Sequence, residues 1–192
     1  MSEPHKTIID QMNVLKNQYY AENEKNIFFR NKQKNKVASI INENMNINDI
    51  LGKTMFIMKN DDCIYFDYTV FKLYAHPSNY SIIISNLLKL LNSCIDKHGR
   101  YEIHINLHTF SISSLERYRD CIDLYCNECL KANTEYYKNM VCMHIYNTPS
   151  VIDTISTLLS KMIHTEVKQK VKKYGKIESE SIIQNIVSSV AV

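Results

Sequence analysis

The sequence contains 192 residues, of which 45% are hydrophobic and 22% are charged, and its formal net charge is +3. This composition excludes an intrinsically disordered chain, which would carry fewer hydrophobic residues and a larger net charge. The length fits one ordinary domain with a sizeable core, and the small positive charge gives no support for nucleic-acid binding.

Six cysteines are present, but the chain opens without a basic segment followed by an apolar run that would direct export. We therefore expect a cytoplasmic protein whose cysteines are thiols or metal ligands rather than disulfides. The longest apolar stretches fall far below the roughly 20 residues that span a bilayer. The sequence thus predicts no membrane span.

The first residues are expected to form a helical segment, residues 1–48, ahead of an α/β domain over residues 49–192. Apolar residues recur in this segment at steps of three and four, which predicts one amphipathic helix; they are Ile8, Ile9, Met12, Leu15 and Tyr19. The polar residues 31–36 predict a break before a second helix over residues 37–44. Gly52 predicts a boundary, because glycine ends helices at little cost.

Beyond this boundary the pattern changes character. Residues 54–58 and 63–74 are rich in aromatic and β-branched residues, and they predict two strands joined by a turn. Residues 81–97 predict a helix with one apolar face that ends at Gly99. We therefore expect a hairpin and then a helix at the start of the α/β domain.

Strands and helices alternate in the remainder of the chain. The predicted elements are a strand at 101–107, a helix at 113–136, a strand at 140–146, a helix at 149–163, a strand at 167–174 and a helix at 178–187. Such alternation favours parallel strand pairs with right-handed crossovers. The predicted fold class is α/β, with a mixed sheet of parallel βαβ crossovers covered by helices and preceded by N-terminal helices.

Three blocks in the second half carry a family pattern: HINLHTFSISSLERY at 104–118, YYKNMVCMHIYNTPSVIDTISTLLSKM at 136–162 and TEVKQKVKKYG at 165–175. In this order and spacing they resemble CRAL-TRIO lipid-binding domains, the family of phosphatidylinositol-transfer and tocopherol-transfer proteins. The chain departs from the family pattern at Asn106 and Thr109, where Asp and Gly are usual, and it lacks the family's closing signature.

The resemblance implies an apolar cavity between the sheet and the helices, with one helix acting as a gate. By position the gate is residues 150–163, and its apolar residues would contact the ligand: Val151, Ile152, Ile155, Leu158, Leu159 and Met162. Burying an acyl chain contributes about 0.8 kcal/mol per methylene. The same apolar stripe is also typical of an ordinary core helix.

The resemblance also implies a headgroup contact. Phosphoinositide-binding members use a Lys on the last strand and a Glu on the long helix, and Lys170 and Glu128 stand at or beside these positions. The resemblance therefore implies noncatalytic binding of a lipid or other apolar ligand, without a cofactor, and with phosphoinositide or peripheral membrane contact. The alternative is a protein-interaction adaptor of the same fold with a collapsed pocket.

A further alternative is a zinc-stabilised regulatory protein. Cys126, Cys129, Cys142 and His144 supply three thiols and one imidazole, which would complete a tetrahedral zinc site. Against this, Cys126 and Cys129 lie within an uninterrupted helical pattern, whereas zinc ligands usually lie on turns. The spacing of Cys121, Cys126 and Cys129 also matches iron–sulfur loops, but this segment contains no Gly that would allow a wrapping loop.

No catalytic constellation is recognisable, and we expect a protein that is not an enzyme. His104 and His108 would share one face of a strand, but they would stand roughly 13 Å apart at about 3.3 Å per residue. No Gly-x-Ser-x-Gly turn is present, and three Gly residues cannot build a phosphate-binding loop.

The most basic patch follows the predicted gate helix and comprises Lys168, Lys170, Lys172, Lys173 and Lys176. Lysines of this kind protect an edge strand from aggregation. They also attract anionic lipid headgroups, by about 1 kcal/mol for each residue at the surface. Both interpretations remain open, whereas nucleic acid is not expected because Arg is rare and the aromatic residues follow the apolar pattern.

Overall fold

The computed structural model describes residues 7–59, 62–131, 135–160 and 162–188. Its centre is a five-stranded sheet in which the strands follow chain order. The strands are β1 Met55–Ile57, β2 Cys63–Asp67, β3 Tyr101–Asn106, β4 Met140–Tyr146 and β5 Val171–Lys173. Strand β1 is antiparallel to β2, and all other neighbours are parallel. The predicted mixed sheet with parallel crossovers is therefore confirmed.

Helices precede, connect and follow the strands. In chain order they are α1 Ile8–Glu22, α2 Arg30–Asn44, α3 Ile47–Thr54, α4 Tyr68–Tyr74, α5 Tyr80–His98, α6 Ile112–Arg117, α7 Arg119–Lys131, α8 Tyr136–Asn139, α9 Ile152–Leu158, α10 Thr165–Gln169 and α11 Lys176–Ser188. None of the helices within the described ranges combines the length and the apolar character that crossing a bilayer requires.

The two faces of the sheet are covered by different helices. Ile64, Ile103 and Met143 point to one face, where they contact a cluster that includes Leu91 of α5 and Val167 of α10. We call this the crossover face. Because side chains alternate along a strand, the intervening residues point the other way. There Tyr65 and Tyr146 pack against Ile186 of α11, and we call this the α11 face.

The N-terminal helices pack against the crossover helices. Met12 of α1, Ile41 of α2 and Ile50 of α3 are fully buried in one cluster with Tyr74 of α4. Cys121 of α7 belongs to the same cluster. The first three helices therefore share a core with the helices that follow β2 and β3.

The predicted strand over residues 63–74 is wrong in its second half, where the chain forms α4. The carboxylate of Asp67 accepts hydrogen bonds from the Thr69 backbone N–H at 2.7 Å and from the Thr69 hydroxyl at 2.6 Å. This side chain caps the first turn of a helix. Aromatic and β-branched residues follow, and their buried positions in the helix satisfy the same apolar pattern that predicted a strand.

The predicted long helix over residues 113–136 is also wrong, because the segment divides into α6, α7 and α8. Ser111 rather than Ser113 caps α6, and its hydroxyl accepts a hydrogen bond from the Ser114 N–H at 3.3 Å. Tyr118 interrupts the helix with φ −106° and ψ 14°. Residues 132–134 lie outside the described residues.

The predicted last strand is shorter than expected. Residues Thr165–Gln169 form α10, because the His164 ring accepts a hydrogen bond from the Glu166 N–H at 3.3 Å and caps that turn. Lys170 ends this helix and therefore precedes β5 rather than lying on it. Helix α9 is also shorter than the predicted helix at 149–163, since the residues after Leu158 form tighter turns.

Two N-terminal boundaries were misplaced as well. The predicted break at 31–36 lies within α2, and Gly52 lies within α3. Other predictions are confirmed: β1 and β2 form a hairpin, and α5 ends at Gly99, whose φ of +68° lies in the left-handed region that glycine tolerates best.

We expect Leu91→Ala to destabilise the protein by about 2–5 kcal/mol, because Leu91 is fully buried between α5 and the sheet. The matched control is Leu130→Ala, since Leu130 of α7 is 81% exposed and its truncation should change stability by less than about 0.5 kcal/mol. Urea unfolding of both variants measures the difference. Equal losses would contradict the packing of α5 on the crossover face.

Candidate functional site

The predicted gate residues lie on the crossover face in and around α9. Ile152 and Ile155 are buried and Leu158 is exposed, whereas Val151, Leu159 and Met162 are partly buried. Two contacts show where the α9 segment lies. Asp153 pairs with Lys173 at 2.7 Å, and the Cys126 thiol of α7 lies 4.0 Å from the Met162 carbonyl oxygen.

The sheet residues on this face are apolar, but not all of them are fully buried. Ile64 and Ile103 are buried near the beginning of their strands, whereas Phe66, Ile105 and Met143 on the same face are only partly buried. In an α/β sheet that is sealed on both faces, the apolar residues of central strands are normally buried. Partly accessible apolar side chains therefore occur on this face of the central strands, although Ile145, nearer the carboxyl end of β4, is buried again.

Two grooves lie elsewhere on the surface. One, of about 420 Å³, lies between α5 and α7 and is lined in part by Leu88, Leu124 and Glu128. The other, of about 340 Å³, lies beside α1 and α2 and includes Tyr19 and Phe29. Neither is lined by a residue of α9, so neither is the cavity under the gate that the sequence predicted.

The two expected headgroup residues have separate partners. The Lys170 ammonium donates hydrogen bonds to the backbone carbonyl oxygens of Tyr137 at 2.8 Å and Lys138 at 3.4 Å. Glu128 instead pairs with Lys131 at 2.8 Å on its own helix. Lys170 thus connects the beginning of β5 to α8, and Glu128 lies at the rim of the α5–α7 groove.

The zinc site considered as an alternative, with Cys126, Cys129, Cys142 and His144 as ligands, is not assembled. Cys129 packs on the crossover face with the cluster around Ile103. Cys142 and His144 alternate with Met143 along β4 and point to the α11 face, so the sheet separates the two halves of the set. Sequence spacing could not reveal this, because it does not say which face a helix covers.

Sequence reasoning missed a polar cluster on the α11 face. His104 of β3 and His144 of β4 are paired in register, and their rings stack with centroids 4.4 Å apart and planes 7° from parallel. One carboxylate oxygen of Glu102 lies 3.1 Å from Nε2 of His144 and 3.9 Å from Nε2 of His104. We call His104, His144, Glu102 and Cys63 the histidine cluster.

His104 has an unusual environment within this cluster. Its Nδ1 lies 2.8 Å from the hydroxyl of Tyr146, while its Nε2 is buried without a hydrogen-bond partner. Burial, reinforced by the neighbouring His144, lowers the pKa of His104 to about 4. The ring is therefore neutral at physiological pH. The equivalent Nδ1 of His144 lies 2.9 Å from the hydroxyl of Tyr174.

Cys63 completes the histidine cluster from β2. Its sulfur, a carboxylate oxygen of Glu102 and a ring nitrogen of His104 all lie within 4.8 Å of one another. Burial, and then the hydrogen bond to Asp62, raises the pKa of the Cys63 thiol to about 12. A protonated, buried thiol is a poor nucleophile, so this arrangement offers potential ligand atoms rather than an activated catalytic residue.

A weak signal for this cluster existed in the sequence. Glu102-x-His104 and Cys142-x-His144 place reactive side chains two residues apart, which is the spacing of one face of a strand. The signal becomes specific only when the two strands are known to be neighbours in register.

No family model matches this chain, and no curated protein matches it. Among solved structures, the crystal structure of Sfh5 is similar, with a TM-score of 0.41 and 13% sequence identity. That similarity covers 87% of this chain and 64% of the Sfh5 chain, so this chain spans less than two thirds of its length.

We expect native-state alkylation at pH 8 to modify Cys126 well before Cys121. Cys126 is partly exposed, whereas Cys121 is buried and burial raises its pKa to about 12. Peptide mass spectrometry after a short exposure to iodoacetamide measures the order. Joint, zinc-dependent protection of Cys126, Cys129 and Cys142 would contradict their placement on opposite faces of the sheet.

Proposed function

We propose that the chain is a noncatalytic binding protein for a lipid or another apolar molecule, held on the crossover face between the sheet and the α9 segment. The observation that carries this proposal is the incomplete burial of Ile105 and Met143, which lie on central strands of the sheet. Apolar surface at that position gains stability when an apolar molecule covers it.

The attachment of α9 supports its role as a movable cover. The helix has seven residues, and it buries two isoleucines, Ile152 and Ile155, each worth about 1.5–3 kcal/mol. The ion pair between Asp153 and Lys173 is exposed, and such pairs contribute about 0–1 kcal/mol. Displacing α9 therefore costs a few kcal/mol, which the burial of about eight methylenes at about 0.8 kcal/mol each would offset.

The lysines around β5 suit an anionic headgroup. Lys168 and Lys173 are exposed near Lys170, which is itself partly buried. We propose that this group faces a phosphoinositide headgroup or the surface of a membrane, and that Lys170 lies at its inner edge. Exposed lysines near an anionic membrane surface each contribute about 1 kcal/mol to attraction.

Native mass spectrometry of the protein purified without detergent tests this function. We expect a population of molecules that carries the added mass of a lipid. Protein first stripped of lipid should regain this mass after incubation with vesicles of phosphatidylcholine and phosphatidylinositol. A lipid-free mass both before and after incubation would contradict the proposal.

We expect Ile105→Gln to weaken lipid binding by about tenfold, because an amide without a partner beneath an acyl chain costs about 1–3 kcal/mol. The matched control is Val141→Gln, which introduces the same amide at an exposed position on the neighbouring strand β4. Titration with a fluorescent fatty acid measures both affinities, and urea unfolding shows whether each variant is folded. Equal affinities in two folded variants would exclude Ile105 from the binding site.

An adaptor that binds another protein is the second candidate. Ile27, Phe28 and Phe29 between α1 and α2 are 87%, 93% and 59% exposed. Contiguous exposed aromatic side chains are typical of interaction surfaces. Two results together would favour this candidate over lipid binding. The purified protein would carry no lipid, and a partner protein would bind the natural chain but not its Phe28→Ser variant.

A further inference from the structure

We propose that the α11 face carries a binding site for a zinc-class divalent cation, formed by Cys63, Glu102 and His104. The site lies on the opposite face of the sheet from the proposed lipid floor and does not depend on it. It also differs from the zinc site predicted from the sequence, with which it shares no residue.

The three ligand atoms are closely spaced. They lie within 4.8 Å of one another, and the separation between Glu102 and His104 is already 3.9 Å. Ligands at about 2.0–2.3 Å from a tetrahedral zinc ion stand about 3.3–3.8 Å apart. A contraction of about 1 Å is therefore sufficient, and side-chain rotation supplies it without a change in the backbone.

The paired strands β2 and β3 hold the ligand residues in place. Cys63 of β2 is the direct neighbour of Glu102 on β3, and His104 follows Glu102 by two residues on the same face. Paired strands in the middle of a sheet are among the most rigid parts of a fold. The ligand residues are thus positioned before any cation arrives.

The His104 ring offers a nitrogen that can bind a cation. Its Nε2 is buried and has no hydrogen-bond partner, which is rare for a buried polar atom. When Nδ1 donates its proton to the hydroxyl of Tyr146 at 2.8 Å, Nε2 presents a free lone pair to the space shared with Cys63 and Glu102. Metal-binding histidines usually have such a partner on the second nitrogen.

Neighbouring side chains support the Glu102 carboxylate. Its carboxylate lies 3.1 Å from His144 Nε2, and the other nitrogen of His144 lies 2.9 Å from Tyr174. These contacts orient the carboxylate. The Glu102 side chain is 31% exposed, so a cation can enter from solvent and a water molecule can fill a fourth position.

The types of ligand atom indicate which cation fits. Magnesium and calcium prefer sites made of oxygen atoms, whereas a thiolate and an imidazole with one carboxylate suit zinc and cobalt. Binding replaces the S–H bond of Cys63 with a bond from sulfur to the metal, and the proton passes to solvent.

Titration with Co²⁺ tests the site, because cobalt bound to a thiolate produces characteristic visible and near-ultraviolet absorption bands. We expect the full chain to bind one Co²⁺, to show these bands, and to lose them when Zn²⁺ is added. Cys63→Ser should abolish the thiolate band, and Glu102→Gln should lower the affinity at least tenfold. Cys63 is buried, and its substitution can impair folding. Glu102→Gln tests the site in that case, because Glu102 is partly exposed.

Tyr146→Phe and Cys126→Ser provide two further comparisons. Removal of the Tyr146 hydroxyl should weaken binding about 10–100-fold without removing the thiolate band, since it alters a partner of a ligand rather than a ligand. Cys126→Ser should leave binding unchanged. No stoichiometric Co²⁺ in the folded natural chain, or bands that persist in both Cys63→Ser and Glu102→Gln, would overturn the site.

Discussion

The in-register pairing of β2, β3 and β4 is the constraint on which the rest of the structure depends. Ile64, Ile103 and Met143 form one row across these strands, and the next row consists of Tyr65, His104 and His144. A shift of one residue in any of these strands would exchange its apolar and polar faces. The burial of the apolar row under the crossover helices therefore also determines where the polar residues meet.

This constraint gives the two faces different chemistry. The crossover face presents apolar side chains, of which Ile105 and Met143 are only partly buried, and the short helix α9 lies on the same side. The α11 face instead gathers stacked imidazole and phenol rings with the Glu102 carboxylate and the Cys63 thiol. The proposed apolar ligand and the proposed cation therefore occupy separate surfaces and do not compete.

Much of the architecture could be predicted from the sequence, because α5, β3, β4 and α11 each combine a clear apolar period with a recognisable start or end. The errors occurred where a local hydrogen bond outweighed the pattern. The Asp67 carboxylate caps α4 inside a segment that was predicted to be a strand. The His164 ring likewise caps α10, which includes the first residues of another predicted strand. The histidine cluster could not be predicted, because it requires the register between strands that are separated by about 40 residues. The alternative zinc set of Cys126, Cys129, Cys142 and His144 is not assembled for a different reason, because sequence spacing does not say which face of the sheet α7 covers.

Nuclear Overhauser effects between the imidazole protons of His104 and His144 test the strand register most directly. The account predicts strong cross-peaks between these two rings and from each ring to its tyrosine partner, Tyr146 or Tyr174. It also predicts cross-peaks from the Ile103 methyl groups to Leu91 on the other face. Cross-peaks from the His104 ring to Leu91, without any to His144, would show a different register and contradict the account of both faces.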